Sequence, residues 1–467
     1  MTRDGALLIR NVEVDGRQDL DVRIRDGVVV EIGRRLPGRG EELDGAGGAL
    51  IPGLADHHIH LLGLAAQRES VLLDGVTRPG DFAARIAAAV AQRPPGAWVR
   101  VVGYHEAMAG ELDRGVLDLI APRHRLRVQH QTGSLWVLNS LALEAVSGSD
   151  DPASVERGAD GQATGRIWRG DAWLRTRIVR PPPPLAAIGR ELAAFGITAL
   201  TDASVTTDAD AAGRLAAAHR VGDLPQRLTL MSGGPLQAPS DGAFSVGPLK
   251  ILLDDHDLPD LEDFVRRIGQ ARRWGRAVAV HCVTAGELAL SLAAFETAGA
   301  AAGDRIEHGG VIPRPAIAEL RALGLTVVTQ PAFIRERGDR YAAEVDPADL
   351  GDLYRCASLL AAGVPLAASS DAPYASPDPW RSMTAAVERR SLGGLTLGAD
   401  EAVTPAVALS LYLGDPGAPG RLVRRVEPGA AADLCLLKAP LRDVFAASGA
   451  EMVRATLLDG QLTYEAG

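Results

Sequence analysis

The segment from Ile51 to Leu61 reads IPGLADHHIHL, an apolar run that ends in one aspartate and three histidines. On a strand the side chains alternate faces, so His58 and His60 point one way and His57 the other. Two imidazoles about 7 Å apart at Cα, on one face of a strand end, can close on a single metal ion. An H-x-H pair alone is ambiguous, because a polar strand terminus reads the same way. The rest of the chain supplies further donors: Lys250 in GPLKILLDD, His281 in AVAVHCV, His308 in RIEHGG and Asp371 in PLAASSDAP, each near the polar end of an apolar run. This mix of nitrogen and oxygen donors suits zinc or a similar first-row ion. Four neutral imidazoles and one carboxylate leave two divalent ions short of negative charge. Lys250 meets the deficit if its amine, neutral at a dry strand end, adds CO₂ to become a carbamate. Of the 49 basic residues only Lys250 and Lys438 are lysines, and arginine stays protonated and cannot take that role. Each residue also has a plain structural reading. His281 can be a core histidine, His308 can share a buried ion pair with Glu307, Asp371 can cap the following segment, and Lys250 can pair with Asp254 or Asp255.

Strand ends have to deliver these side chains to one place. After Leu61 a helical stretch, GDFAARIAAAVAQR, stops at Pro94-Pro95. AWVRVVGYHE and HRLRVQHQTGSLWVLNSLALEAV then read as a strand and a strand-to-helix unit, followed by a polar, glycine-rich segment and the proline run Pro181 to Pro184. Beyond it, seven strand-like runs alternate with alanine-rich helices, from GITALTDAS to PLAASSDAP. With the strand that ends at His60 they make eight parallel βα units, an α/β architecture of the (β/α)8 TIM-barrel type, whose reactive residues sit at the carboxyl ends of strands. The two chain ends share an alternating, β-rich texture with turns at Asp26-Gly27 and Asp459-Gly460. The expected division is a small β-sandwich from 1–50 and 418–467, a metal-binding barrel from 51–96 and 181–417, and an insertion after the first barrel strand at 97–180.

The formal net charge of −10 gives no basic stripe for nucleic acid. No run of about 18 apolar residues suggests a membrane span, and the first residues lack the layout of a signal peptide. Cys282, Cys356 and Cys435 are isolated and odd in number, which suits a reducing cytoplasm. The expected partner is a small-molecule substrate; oligomeric state stays open, with a homodimer the commonest closed assembly.

The chain resembles the amidohydrolase superfamily of metal-dependent TIM-barrel hydrolases, and within it the branch containing N-substituted formamide deformylases. The resemblance rests on PGLADHHIH, WVLNSLAL, GITALTDA, LKILLDD, RIEHGG, TQPAF, LLAAGVPLAASSDAPY, TPAVALSLY and EPGAAADLCLL, spread over nearly the full length. It implies His58 and His60 as ligands of a first ion, His281 and His308 as ligands of a second, Lys250 as a carbamate bridge, and Asp371 as a ligand that also moves protons. It implies hydrolysis of a carbon–nitrogen bond in a non-peptide amide or N-acyl or N-formyl amine. One departure stands out. Many relatives carry a Gly-His pair before the Asn of the NS step, where this chain has Gly133 and Ser134, with His130 slightly upstream. Substrate contacts are therefore sought among His105, Glu106, His130 and Trp136 in the insertion. Arg335, Arg337, Tyr354, Arg355 and Tyr374, near the seventh and eighth strand ends, are further candidates for holding a carboxylate or an aromatic ring. The competing readings are a deaminase with one metal, which has no need of a bridging Lys250; an esterase or lactonase with the same two ions; and an inactive binding or assembly protein, which would be expected to have lost ligands.

Overall fold

The computed structural model describes residues 6–38, 40–178, 183–447 and 449–466; the first half of the Pro181–Pro184 run lies outside them. The described chain divides into two compact units, one of residues 1–61 and 185–467 and one of residues 62–184.

The centre of the first unit is an eight-stranded, all-parallel sheet whose strands lie in chain order. They are Leu54–Ile59, Ile197–Asp202, Arg227–Ser232, Ser245–Ile251, Val278–Cys282, Arg305–His308, Thr326–Thr329 and Leu366–Ala368. Most of these segments are runs of Val, Ile, Leu and Ala buried on both faces, as parallel strands covered by helices must be. The first and eighth strands are drawn together beyond their ends, where Asp371 N–H donates to the His58 carbonyl at 2.8 Å and His60 N–H to that of Ala372 at 2.8 Å. The result is a near-closed barrel of the TIM type. Gly53 admits the first strand, because a Cβ there would meet Thr198 Cγ2 at 2.1 Å.

The intervening helices start where the sequence supplies caps. Asp208 accepts from Ala211 N–H and Asp260 from Asp263 N–H. Thr284 and Glu287 form a reciprocal capping box at the head of Ala285–Ala298, satisfying amides that a helix start leaves open.

The chain termini form two four-stranded sheets, one from strands within residues 6–44 and one joining Leu50–Pro52 to Leu434–Leu437, Val453–Leu458 and Gln461–Glu465. A single apolar cluster draws from both, including Ile9, Val22, Leu50, Leu434 and Leu457. The turns expected at Asp26-Gly27 and Asp459-Gly460 form, with both residues of each at positive φ, the requirement of a tight two-residue hairpin.

The second unit is a six-stranded sheet. Val71–Leu72, Trp98–Tyr104 and Arg125–His130 run parallel, and Leu135–Leu138 follows antiparallel. Residues 62–96, expected with the barrel, belong here instead: Val71, Leu73, Phe82 and Ile86 share one core with Val99, Val101 and Leu126. The glycine-rich stretch after Val146 also holds two short strands, Val155–Arg157 and Ala163–Trp168. Asn139 of the NS step is a structural hub: its carboxamide accepts from Leu126 and Ala142 N–H and donates to the Ala121 and His124 carbonyls.

Candidate metal centre

The carboxyl end of the barrel gathers four of the histidines. Ring centroids lie 5.3 Å apart for His58 and His60, 4.8 Å for His58 and His308, and 4.4 Å for His281 and His308. Asp371 Oδ1 stands 3.1 Å from His60 Nε2 and 3.4 Å from His58 Nε2, and Asp371 Oδ2 stands 3.9 Å from His308 Nδ1. Donor atoms of His58, His60 and Asp371 all fall within 4.8 Å of one another. His308 and Asp371 both adopt positive φ, 69° and 56°. That conformation is costly for a residue with a Cβ and persists only where surroundings enforce it. Here it turns each side chain inward at the point where its strand has ended.

Burial sets the protonation states. His58 and His308 are held well below the usual imidazole range and His281 is brought down to about 3, in each case first by desolvation, with the Lys250 amine adding to it. These rings are neutral at physiological pH and keep a lone pair for a cation. Lys250 is brought down to about 8 by desolvation, against the opposing pull of Glu307 and Asp371. Its Nζ is buried without a hydrogen-bond partner, as are His58 Nε2 and Asp371 Oδ1. Buried polar atoms are nearly always satisfied. Three orphans of ligating type at the carboxyl end of the barrel, two of them, His58 Nε2 and Asp371 Oδ1, 3.4 Å apart, fit a divalent ion with nitrogen and oxygen donors.

A supporting layer fixes these rings. Glu307 receives His58 Nδ1 on one oxygen and Arg305 Nε on the other, while Arg305 Nη2 donates to the His57 carbonyl at 2.8 Å. Gln330 Oε1 meets His308 Nδ1 at 2.8 Å, and Ser204 Oγ meets His60 Nδ1 at 2.9 Å. Asp56 accepts from Ser370 Oγ and from the amides of Ser370 and His58, and burial raises its carboxyl to about 6. Metal-ligating histidines are ordinarily oriented by such partners through the second ring nitrogen. Of this layer Glu307 and Asp56 carried a sequence signal, their places beside His308 and the histidine run; Arg305, Gln330 and Ser204 become visible only once the strands are side by side. His57 points away, with its ring buried at 0% exposure.

The remaining candidates scatter. Tyr374 is half exposed and stands edge-on to His60, with ring centroids 5.7 Å apart. Arg355 is spent elsewhere: it is buried, bonded to Asp352, Glu401 and the Ile312 carbonyl. Tyr354 is buried against Tyr341, Arg337 lies over Phe333 and donates to the Tyr374 carbonyl, and Arg335 pairs with Glu388. In the second unit Trp136 is a core residue whose indole N–H donates to Asp171 at 2.9 Å. His105, Glu106 and His130 form a separate cluster there.

The amidohydrolase family model matches residues 41–464. The chain belongs to the amidohydrolase family. The enzyme class that follows is that of a metal-dependent hydrolase acting on carbon–nitrogen bonds. The chain is 26% identical to the N-substituted formamide deformylase of Arthrobacter pascens, over 99% of this chain and 98% of the relative. A metal-dependent hydrolase from Pyrococcus horikoshii shares the fold at a TM-score of 0.75 and 21% identity, covering 93% of this chain and 97% of its own. N-isopropylammelide isopropylaminohydrolase from Burkholderia multivorans aligns at a TM-score of 0.55 and 20% identity, over 98% of both chains. Among the described residues no helix is long and apolar enough to cross a membrane.

Proposed function

We propose that this amidohydrolase cleaves the C–N bond of a small N-acyl or N-formyl amine, with two divalent ions, zinc or a close relative, held by His58, His60, Lys250, His281, His308 and Asp371. The observation that carries the reading is the orphaned, buried Lys250 Nζ among neutral imidazoles and the Asp371 carboxylate. An amine with its pKa near 8 is neutral often enough to add to CO₂, forming the N–C bond of a carbamate and releasing one proton. The carbamate supplies the negative charge that four imidazoles and one carboxylate lack.

Such ions, when bound, lower the pKa of coordinated water toward about 7 and polarise a carbonyl oxygen. The chain's own residues do the rest. Asp371 takes a proton from the attacking water as its oxygen adds to the carbonyl carbon. It returns that proton to the nitrogen as the C–N bond breaks, so acid and amine leave with atoms balanced. Glu307, Gln330 and Ser204 keep the histidine rings in orientation. Tyr374, edge-on to His60, is read as a substrate contact. The two terminal sheets, with their common core, are read as one sandwich, and the three free, buried cysteines suit a cytoplasmic setting.

The test is metal content by mass spectrometry of wild type and Lys250→Ala, both purified with bicarbonate, together with turnover of N-formyl and N-acetyl amines against matched esters. About two ions per chain in wild type, falling to one or fewer in the variant, with amides turned over in preference, is expected. One ion in both proteins would remove Lys250 from the site, and ester preference would overturn the C–N assignment.

A further inference from the structure

The cluster His105, Glu106 and His130 is not used by the barrel chemistry, and it is built with care. His105 and His130 sit at the carboxyl ends of two adjacent parallel strands, Trp98–Tyr104 and Arg125–His130. Reactive and ligand-binding groups of parallel sheets gather at such ends. Their rings lie 5.7 Å apart, tilted by 33°.

Hydrogen bonds fix the tautomer of each ring. His105 Nδ1 accepts from Ala107 N–H at 3.1 Å, capping the short helix Glu106–Ala109. His130 Nδ1 accepts from Thr132 N–H at 3.2 Å and faces Thr132 Oγ1 at 2.8 Å. The Thr132 oxygen also accepts from Ser134 N–H, and with His130 Nδ1 already accepting from the Thr132 amide, the Thr132 hydroxyl is the donor of that pair. A neutral imidazole whose Nδ1 accepts carries its proton on Nε2. His130 Nε2–H therefore donates to Glu106 Oε2 at 3.0 Å, and His105 carries its proton on Nε2, with one of its ring nitrogens within 4.8 Å of the ligating atoms of Glu106 and His130. This arrangement is the reverse of a metal site, where the second ring nitrogen donates rather than accepts. Loading a metal through both Nε2 atoms would break the bonds from the Ala107 and Thr132 amides.

What remains is one ring N–H donor and one carboxylate acceptor in the same cluster, where a ring nitrogen of each histidine and a Glu106 oxygen lie within 4.8 Å of one another. We propose that His105 Nε2–H and the Glu106 carboxylate bind a neutral carboxamide, the His105 proton going to its oxygen and the Glu106 oxygen receiving its N–H, with His130 holding Glu106 in place. A carboxylate ligand would meet the Glu106 charge, and an ammonium would meet the His105 proton. Only a group with acceptor and donor side by side satisfies both. The site belongs to residues 62–184 alone, so it stands or falls independently of the hydrolase reading.

The test uses full-length protein in the Asp371→Asn background, to suppress turnover, with histidine rings labelled in ¹⁵N and assigned by His105→Gln and His130→Gln. The probes are 2-phenylacetamide, phenylacetate and phenethylammonium, near-isosteres that differ in the polar group. The expected result is Nε2–H tautomers for both rings, and ring shifts of His105 on titration with the amide. Binding read from those shifts should be at least tenfold tighter for the amide than for either ion. His105→Phe should lose tenfold or more in amide binding, read from the backbone amide of Glu106, with unchanged circular dichroism. If that variant does not fold, the three-probe comparison on the parent decides. Equal or tighter binding of phenethylammonium overturns the proposal, as does an Nδ1–H tautomer in either ring. So does an additional metal equivalent that His130→Gln removes.

Discussion

Replacing Glu307 by glutamine separates two roles that one side chain holds. The carboxylate is fully buried and joins two partners, Arg305 Nε on one oxygen and His58 Nδ1 on the other. Arg305 is itself 2% exposed, its further bonds going to the His57 carbonyl and, weakly, to Met231 Sδ. Glu307→Gln keeps the shape but strands a buried guanidinium without its counter-charge. Breaking a buried pair from one side costs about 3–5 kcal/mol. The second effect is on His58: with a neutral acceptor its ring is less basic and less firmly turned, and losses of a histidine's supporting partner typically reduce metal affinity about 10–100-fold. That factor corresponds to about 1.4–2.7 kcal/mol. The two effects are read separately, stability by urea unfolding of metal-free protein and affinity by zinc competition with a chromophoric chelator. The double variant Arg305→Met/Glu307→Leu sharpens the test. Removing both charges should restore most of the stability, because a buried pair is replaceable by apolar volume, but it should not restore zinc affinity. Wild-type stability in Glu307→Gln would refute the buried pair, and lost stability with unchanged zinc affinity would refute the orienting role.

Asp371→Asn should retain much of its metal yet lose about 10²–10⁴-fold in turnover, the usual scale of a positioned acid–base group; full activity in that variant would remove the proton-transfer role. Arg355→Met should cost about 3–5 kcal/mol in unfolding free energy, because it leaves the buried Glu401 carboxylate without its partner; an unchanged stability with a raised KM would return Arg355 to the substrate. Cys435 gives a pH signature. Burial alone lifts its thiol from 9.0 to about 12, so the folded chain keeps a proton that the unfolded chain releases. The stability this contributes is complete below about pH 9 and is lost as pH rises through 12, about 1.4 kcal/mol of it by pH 10. Urea midpoints at pH 8 and 10 should therefore draw closer together in Cys435→Ala than in wild type; an identical pH slope in the two proteins would contradict the assignment.

The barrel could be read from the chain because its signal is redundant. The strand runs are carried by Val, Ile, Leu and Ala and turn polar at or just beyond their carboxyl ends, and the inference needed only the order of those ends. The ligand-type residues were legible for the same reason: His58, His281 and His308 stand out against apolar neighbours, and Lys250 stands out against a chain that otherwise uses arginine. Arg355 misled because a charged residue near a strand end looks the same whether it faces a ligand or a buried Glu401, and that partner lies 46 residues away. Trp136 misled similarly, since its indole proton had to find Asp171 before its burial made sense. The boundary at residue 62 was hidden because the Ala-rich helix Pro79–Ala91 has the pattern of a barrel helix, and periodicity says which face is apolar but not which sheet covers it. His105 and His130 show the converse. Their sequence context says only that two histidines follow two strands, while the amides of Ala107 and Thr132 decide which nitrogen carries the proton. Chemistry set by residue type is readable along the chain. Chemistry set by which partner a ring nitrogen meets exists only in the fold, and in this molecule that second kind separates His58, whose Nδ1 meets the Glu307 carboxylate, from His105 and His130, whose Nδ1 atoms accept from amides.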